Sequence, residues 1–166
     1  PKPQNPKTPK PPLLKMPSFI STRSFSAAAT KKVGFIGLGN MGLPMMKNMI
    51  KGGFKVTAFD INDKTLKLAE EAGATVVTKA GHTAKDADFV ITMLPNTDHV
   101  VKARTESDGI YANAKRGAVI VDSSTISPTV SKKMGEECKE FIIADVPVSG
   151  GVPGAEKGSL TFMVGC

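Results

Sequence analysis

Residues Val33–Met46 read VGFIGLGNMGLPMM, with four glycines inside nine residues set between an apolar run and a Met-rich segment. The run before them, KVGFIG, has the β-rich character of a buried strand. The segment after them predicts a helix over Asn40–Lys51, with Leu43, Met46, Met49 and Ile50 on one face and Gly52–Gly53 as its stop. Gly37, Gly39 and Gly42 therefore fall as G-x-G-x-x-G between a strand and a helix, the context that gives the pattern physical meaning. The first glycine makes the tight turn, the second lets backbone approach a pyrophosphate, and the third lets helix and strand pack closely. Unpaired N–H groups and the positive end of the helix dipole favour an anion there. Gly37, Leu38, Gly39, Asn40, Met41 and Gly42 are the candidate dinucleotide loop; a merely flexible turn is the alternative.

A second element supports the loop. FKVTAFD reads as the next strand and ends on Asp60, 23 residues after Gly37. A carboxylate there accepts hydrogen bonds from the adenosine ribose hydroxyls and repels a 2′-phosphate, so the expected cofactor is NAD rather than NADP. Replacing Asp60 with alanine should then weaken NAD and spare NADP. The alternative for Asp60 is a plain turn residue.

Further strands are expected at ATVVT, DFVITML, AVIVD and FIIADV, near-continuous apolar runs suited to strands covered on both faces. A helix is expected over Asp63–Ala72, carrying Leu66, Ala69 and Ala72, and another opens at Ser127–Pro128. Strands alternating with helices give an α/β fold, a Rossmann-like doubly wound parallel sheet over residues 33–166.

Charge and composition limit the other readings. The net charge of +7 arises in the arm, where seven cations precede Val33 and no acid precedes Asp60. From Val33 onward cations and acids balance, so no basic face for nucleic acid is expected. No apolar run approaches the ~18 residues that suggest a membrane span. Cys138 and Cys166 have neither metal-ligand nor CxxC spacing, and no metal site is expected. Cys138 lies at helical spacing from Val130 and Met134 and reads as a small buried hydrophobe. Residues 1–32 form a basic arm outside the fold: Pro/Lys-rich at first, then, from Met16, acid-free and rich in Ser, Ala and Lys/Arg, like an organellar transit peptide. The expected cut lies near Arg23–Ser26, and a plain disordered tail is the alternative.

FIGLGNMGLPM, ITMLP (Ile91–Pro95), DSSTISP (Asp122–Pro128) and DVPVSGGVPGAEKGSLTFMVG (Asp145–Gly165) together resemble the β-hydroxyacid dehydrogenase family. The resemblance runs from about Lys32 to Gly165. It implies NAD-dependent oxidation of a small 3-hydroxy acid, 3-hydroxyisobutyrate, to methylmalonate semialdehyde in valine catabolism in the mitochondrial matrix, by an enzyme that is a homo-oligomer at full length. By position it adds Leu94, Pro95 and Thr125 to the cofactor cleft and makes Ser149, Gly150 and Gly151 the substrate-carboxylate site. From the residues alone, Leu94–Pro95 also reads as a strand cap and PVSGG as a glycine turn. The resemblance places a proton-handling lysine on a helix of a C-terminal helical domain. Residues 33–166 hold no match for it, which predicts an NAD-binding segment that turns over no substrate by itself. Asp122 and Asp145 read as strand-end residues, Lys157 as a loop residue and both histidines as surface residues. Met46 stands where the family carries a small residue and is expected to crowd the first helix. Two rivals stay open: an NADP-dependent glyoxylate or tartronate semialdehyde reductase of the same superfamily, and a non-catalytic nucleotide-binding module.

Overall fold

The computed structural model describes residues 30–165; the expected transit segment and Cys166 lie outside them. Six strands form one parallel sheet: β1 (Lys32–Ile36), β2 (Lys55–Phe59), β3 (Thr75–Val76), β4 (Phe89–Thr92), β5 (Val119–Asp122) and β6 (Ile142–Asp145). Their order, β3-β2-β1-β4-β5-β6, is that of a Rossmann-like doubly wound fold, as the alternating pattern predicts. A separate antiparallel pair joins β7 (Val148–Ser149) to β8 (Thr161–Phe162).

Strand periodicity divides the core. Phe35 points to one face, with Leu38, Met45, Met46, Val56 and Ala69. Its neighbour Ile36 points to the other, with Ala84, Val90, Ile110 and Ile120. Helices α1 (Gly42–Lys51) and α2 (Asp63–Glu71) pack on the Phe35 side. Helix α1 begins two residues later than the sequence predicts, because Asn40 and Met41 complete the loop. Met46 does not crowd it: the unbranched side chain is fully buried in that core. The Asn62 side chain caps α2 by accepting the Lys64 N–H at 3.0 Å.

The remaining helices are α3 (Thr97–Thr105), α4 (Ile110–Asn113), α5 (Pro128–Glu137) and α6 (Gly151–Lys157). Helix α5 starts at Pro128, as expected. Cys138 lies one residue past its end and is half-buried, so it is not the buried helical hydrophobe of the sequence reading. Lys157 is the last residue of α6 rather than a loop residue. That helix reads as a loop because GVPGAEK carries no apolar period. It forms because small residues let it dock: Gly154 and Ala155 are buried, and Asn48 of α1 donates from Nδ2 to the Ala155 carbonyl at 2.6 Å. Among the described residues no helix is long and apolar enough to cross a membrane.

Candidate cofactor cleft

Sheet order determines where a ligand can sit. Strand β1 lies between β2 and β4, the point at which successive connections depart to opposite faces, and a crevice opens at the carboxyl ends there. It holds a cleft of about 490 Å³ lined by the glycine loop, the end of β2 with Asp60 to Asn62, and Met93 to Pro95 after β4. A neighbouring cleft of about 570 Å³ shares Ile36, Phe59, Ile61, Leu94 and His99 with it.

The three motif glycines do different work. Gly37 has φ +96, and a Cβ on it would strike the Met93 carbonyl. Gly42 lies against the Gly37 carbonyl, so a side chain there would separate α1 from β1. A Cβ on Gly39 would meet no protein atom within 4 Å, and its φ is not left-handed. Neither the turn nor the packing therefore requires glycine at 39. The first helical hydrogen bond runs from the Leu43 N–H to the Gly39 carbonyl at 3.1 Å, so the amides just before it have no acceptor within the helix. Open space at Gly39 beside such amides fits a bound pyrophosphate.

Asp60 is half-buried and its carboxylate spans two loops. Oδ2 accepts the Leu38 N–H, and Oδ1 accepts the Asn62 N–H at 2.8 Å. A carboxylate has about four lone-pair sites, so two remain for ribose hydroxyls. The Leu38 side chain belongs to the core and not to the cleft; only its amide takes part.

Leu94 and Pro95 line the cleft, and the Leu94 N–H donates to Ser124 Oγ at 2.9 Å. Thr125 is exposed in the β5–α5 connection, outside this cleft. Ser149, Gly150 and Gly151 form the junction from β7 to α6, also exposed and outside it. Gly150 and Gly151 have φ +130 and +59, so the turn itself requires glycine at both. His99, not among the sequence candidates, is exposed yet lines both clefts from the first turn of α3. The helical cap Asn96, which accepts the His99 N–H at 3.0 Å, was the signal that could have placed it.

No group of three or more His, Cys, Asp or Glu side chains is placed to hold a metal among the described residues. Behind the cleft, Asp122 is buried and pairs with Arg104 at 3.3 Å. Its register neighbour Asp145 has its carboxyl raised above the ordinary range by burial, with repulsion from Asp122 adding and Arg104 opposing.

The family described as the NAD binding domain of 6-phosphogluconate dehydrogenase matches residues 32–166. The chain belongs to this family, among the β-hydroxyacid dehydrogenases. Human mitochondrial 3-hydroxyisobutyrate dehydrogenase is 43% identical over 150 residues, which cover 89% of this chain and 45% of that protein. The Drosophila melanogaster mitochondrial enzyme of the same name is 47% identical over 141 residues, 81% of this chain and 42% of that protein. A solved structure of Mycobacterium tuberculosis 3-hydroxyisobutyrate dehydrogenase with L-serine superposes with a TM-score of 0.75 at 39% identity, covering 82% of this chain and 46% of that one. The chain thus spans about half the length of the curated relatives it matches. The family's cofactor is NAD, and the open loop and the Asp60 carboxylate fit it.

Proposed function

We propose that this chain is the NAD-binding part of a mitochondrial dehydrogenase that oxidises 3-hydroxyisobutyrate to methylmalonate semialdehyde in the matrix. The observation that carries the cofactor half of this reading is Gly39, a glycine that the protein's own packing does not need, at a helix N-terminus facing a cleft bounded by Asp60. NAD accepts hydride when bound. The chain's own residues bind and orient it: the amides before Leu43 face the pyrophosphate, Asp60 the ribose, and Leu94 and Pro95 the opposite wall. Relatives named for 3-hydroxyisobutyrate support the substrate, and their mitochondrial names, together with the acid-free arm, support the compartment. On this reading Ser149, Gly150 and Gly151 hold the substrate carboxylate and Thr125 approaches the cofactor from the β5 side, within a full-length homo-oligomer.

An NADP-dependent reductase would need a free cation beside the ribose. Two lysines line the neighbouring cleft, but Lys79 pairs with Asp108 at 2.6 Å and Lys102 with Glu106 at 3.5 Å. Asp60 itself opposes a 2′-phosphate. Calorimetric titration of the chain with NAD and with NADP tests the reading. NAD is expected to bind at least ten times more tightly, since a like-charge contact with the half-buried Asp60 removes more than ~1.4 kcal/mol. Equal or tighter NADP binding would overturn it.

A further inference from the structure

Thr92, Arg104, Asp122, Ser123 and Ser124 are each at most 1% exposed, directly behind the cleft, and cofactor binding as described uses none of these side chains. For an arginine and a carboxylate, desolvation offsets most of the attraction between them. An apolar pair of similar size would hold this core at least as well. The arrangement of the bonds points to what the ions do.

The hydrogen bonds that continue the sheet stop just past β4 and β5. The Met93 N–H still reaches the Ile36 carbonyl at 2.9 Å, and the Ser123 N–H reaches the Thr92 carbonyl at 2.8 Å. One residue later the Leu94 amide has a side chain as its partner, Ser124 Oγ at 2.9 Å. Asp122 aims that serine: its Oδ1 accepts the Ser124 N–H at 3.0 Å, an Asx-type turn, and also the Thr92 hydroxyl at 3.0 Å. The other carboxylate oxygen, Oδ2, makes no hydrogen bond and faces Arg104 Nη2 at 3.3 Å. Arg104 comes from α3, whose start follows the Leu94–Pro95 wall, and the Ser127 N–H donates to Thr97 Oγ1 at 3.1 Å to tie α3 to the β5 loop again. The hydrogen bond that the guanidinium makes is weak, Nη1 to Met134 Sδ at 3.8 Å, and its charge also reaches Asp145 and Tyr111. Among the described residues Asp122 is the only acid within ion-pair distance of that guanidinium.

We infer that Arg104 is a positioning residue for the Leu94–Pro95 wall of the cleft, acting through Asp122 and Ser124. Asp122 without its cation would leave the turn, and Ser124 would lose its aim at Leu94. That this wall contacts NAD rests on the function proposed above; that Arg104 fixes it does not.

Amide hydrogen exchange on the whole chain tests this, read at Leu94 and, for global stability, at Phe35 in the central strand. Three variants are needed: Ser124→Ala, Arg104→Met, and Arg104→Met combined with Asp122→Asn. The last removes both buried charges and keeps an acceptor for the Ser124 N–H, so it stays folded even if Arg104→Met alone does not. Leu94 exchange is expected to accelerate about five- to tenfold relative to Phe35 in Ser124→Ala and in Arg104→Met, the loss of one neutral hydrogen bond. It should return to the parental ratio in the double variant, whose neutral side chain at position 122 needs no cation to hold the turn. NAD affinity should fall by a similar factor in Ser124→Ala and Arg104→Met and recover in the double variant. An Arg104→Met variant in which Leu94 and Phe35 change in step, or a double variant as poorly protected at Leu94 as Ser124→Ala, would overturn the inference. If the parent chain failed to bind NAD, the cofactor reading would fall, and the exchange ratio would still decide the positioning role.

Discussion

Replacing each motif glycine by alanine should separate cofactor contact from packing within one loop. At Gly39 the new methyl group enters space that no protein atom occupies, on backbone that alanine adopts freely. Folding should be unharmed, and the narrower unfolded ensemble should add roughly 0.4–1 kcal/mol of stability. The same methyl group stands between the α1 amides and a pyrophosphate. Losing one or two charge-assisted hydrogen bonds costs roughly 2–4 kcal/mol of binding, which weakens NAD about 30- to 900-fold. Gly37→Ala and Gly42→Ala should do the reverse. Their Cβ atoms would meet the Met93 and Gly37 carbonyls, both backbone, so the strand and helix must part. Overpacking and left-handed strain there are each worth about 1–3 kcal/mol. Thermal melting and NAD calorimetry on the three variants give the comparison. Undiminished NAD binding by Gly39→Ala would show that the loop does not touch phosphate, and a parental melting temperature for Gly42→Ala would refute the packing argument.

Asp60→Ala should weaken NAD about ten- to a hundredfold, and the structure changes what is expected for NADP. Because Asp60 also holds the Leu38 amide, its loss frees the glycine loop for either cofactor and leaves that amide unpaired at a cost of about 1–3 kcal/mol in stability. Calorimetry that found NADP binding untouched and melting unchanged would count against the Leu38 tie. Asp145→Asn should raise the melting temperature at pH 7. The folded-state pKa of Asp145 is raised, chiefly by burial, so its ionisation destabilises the fold as pH climbs through the window above the ordinary carboxylate range. Below that range both forms are neutral and the difference should close; a gain that persisted unchanged into acid would contradict it.

Much of the fold follows from short-range pattern. The apolar runs of the six sheet strands, the glycines between β1 and α1, and Asp60 at the end of β2 can be read locally, because strand period, turn sterics and helix capping act over a few residues. Helix α3 could not be read that way. Its inward positions include Val100 and Arg104, and an arginine in a core position breaks the apolar period that marks a helix. Helix α6 likewise depends on docking to α1 through Asn48.

The sequence by itself determined the glycine loop between β1 and α1, the acidic end of β2 and the parallel α/β architecture, since each rests on residues that are neighbours along the chain. Tertiary structure alone decided which glycine borders open space and which face protein, that Asp60 is shared between the loop and the cleft, and that Arg104, Asp122 and Ser124 stand behind Leu94. The Thr92–Asp122 and Leu94–Ser124 bonds each span 30 residues. No local period encodes such pairings; they exist because parallel strands bring the carboxyl ends of β4 and β5 side by side, where the sheet's own hydrogen bonds stop.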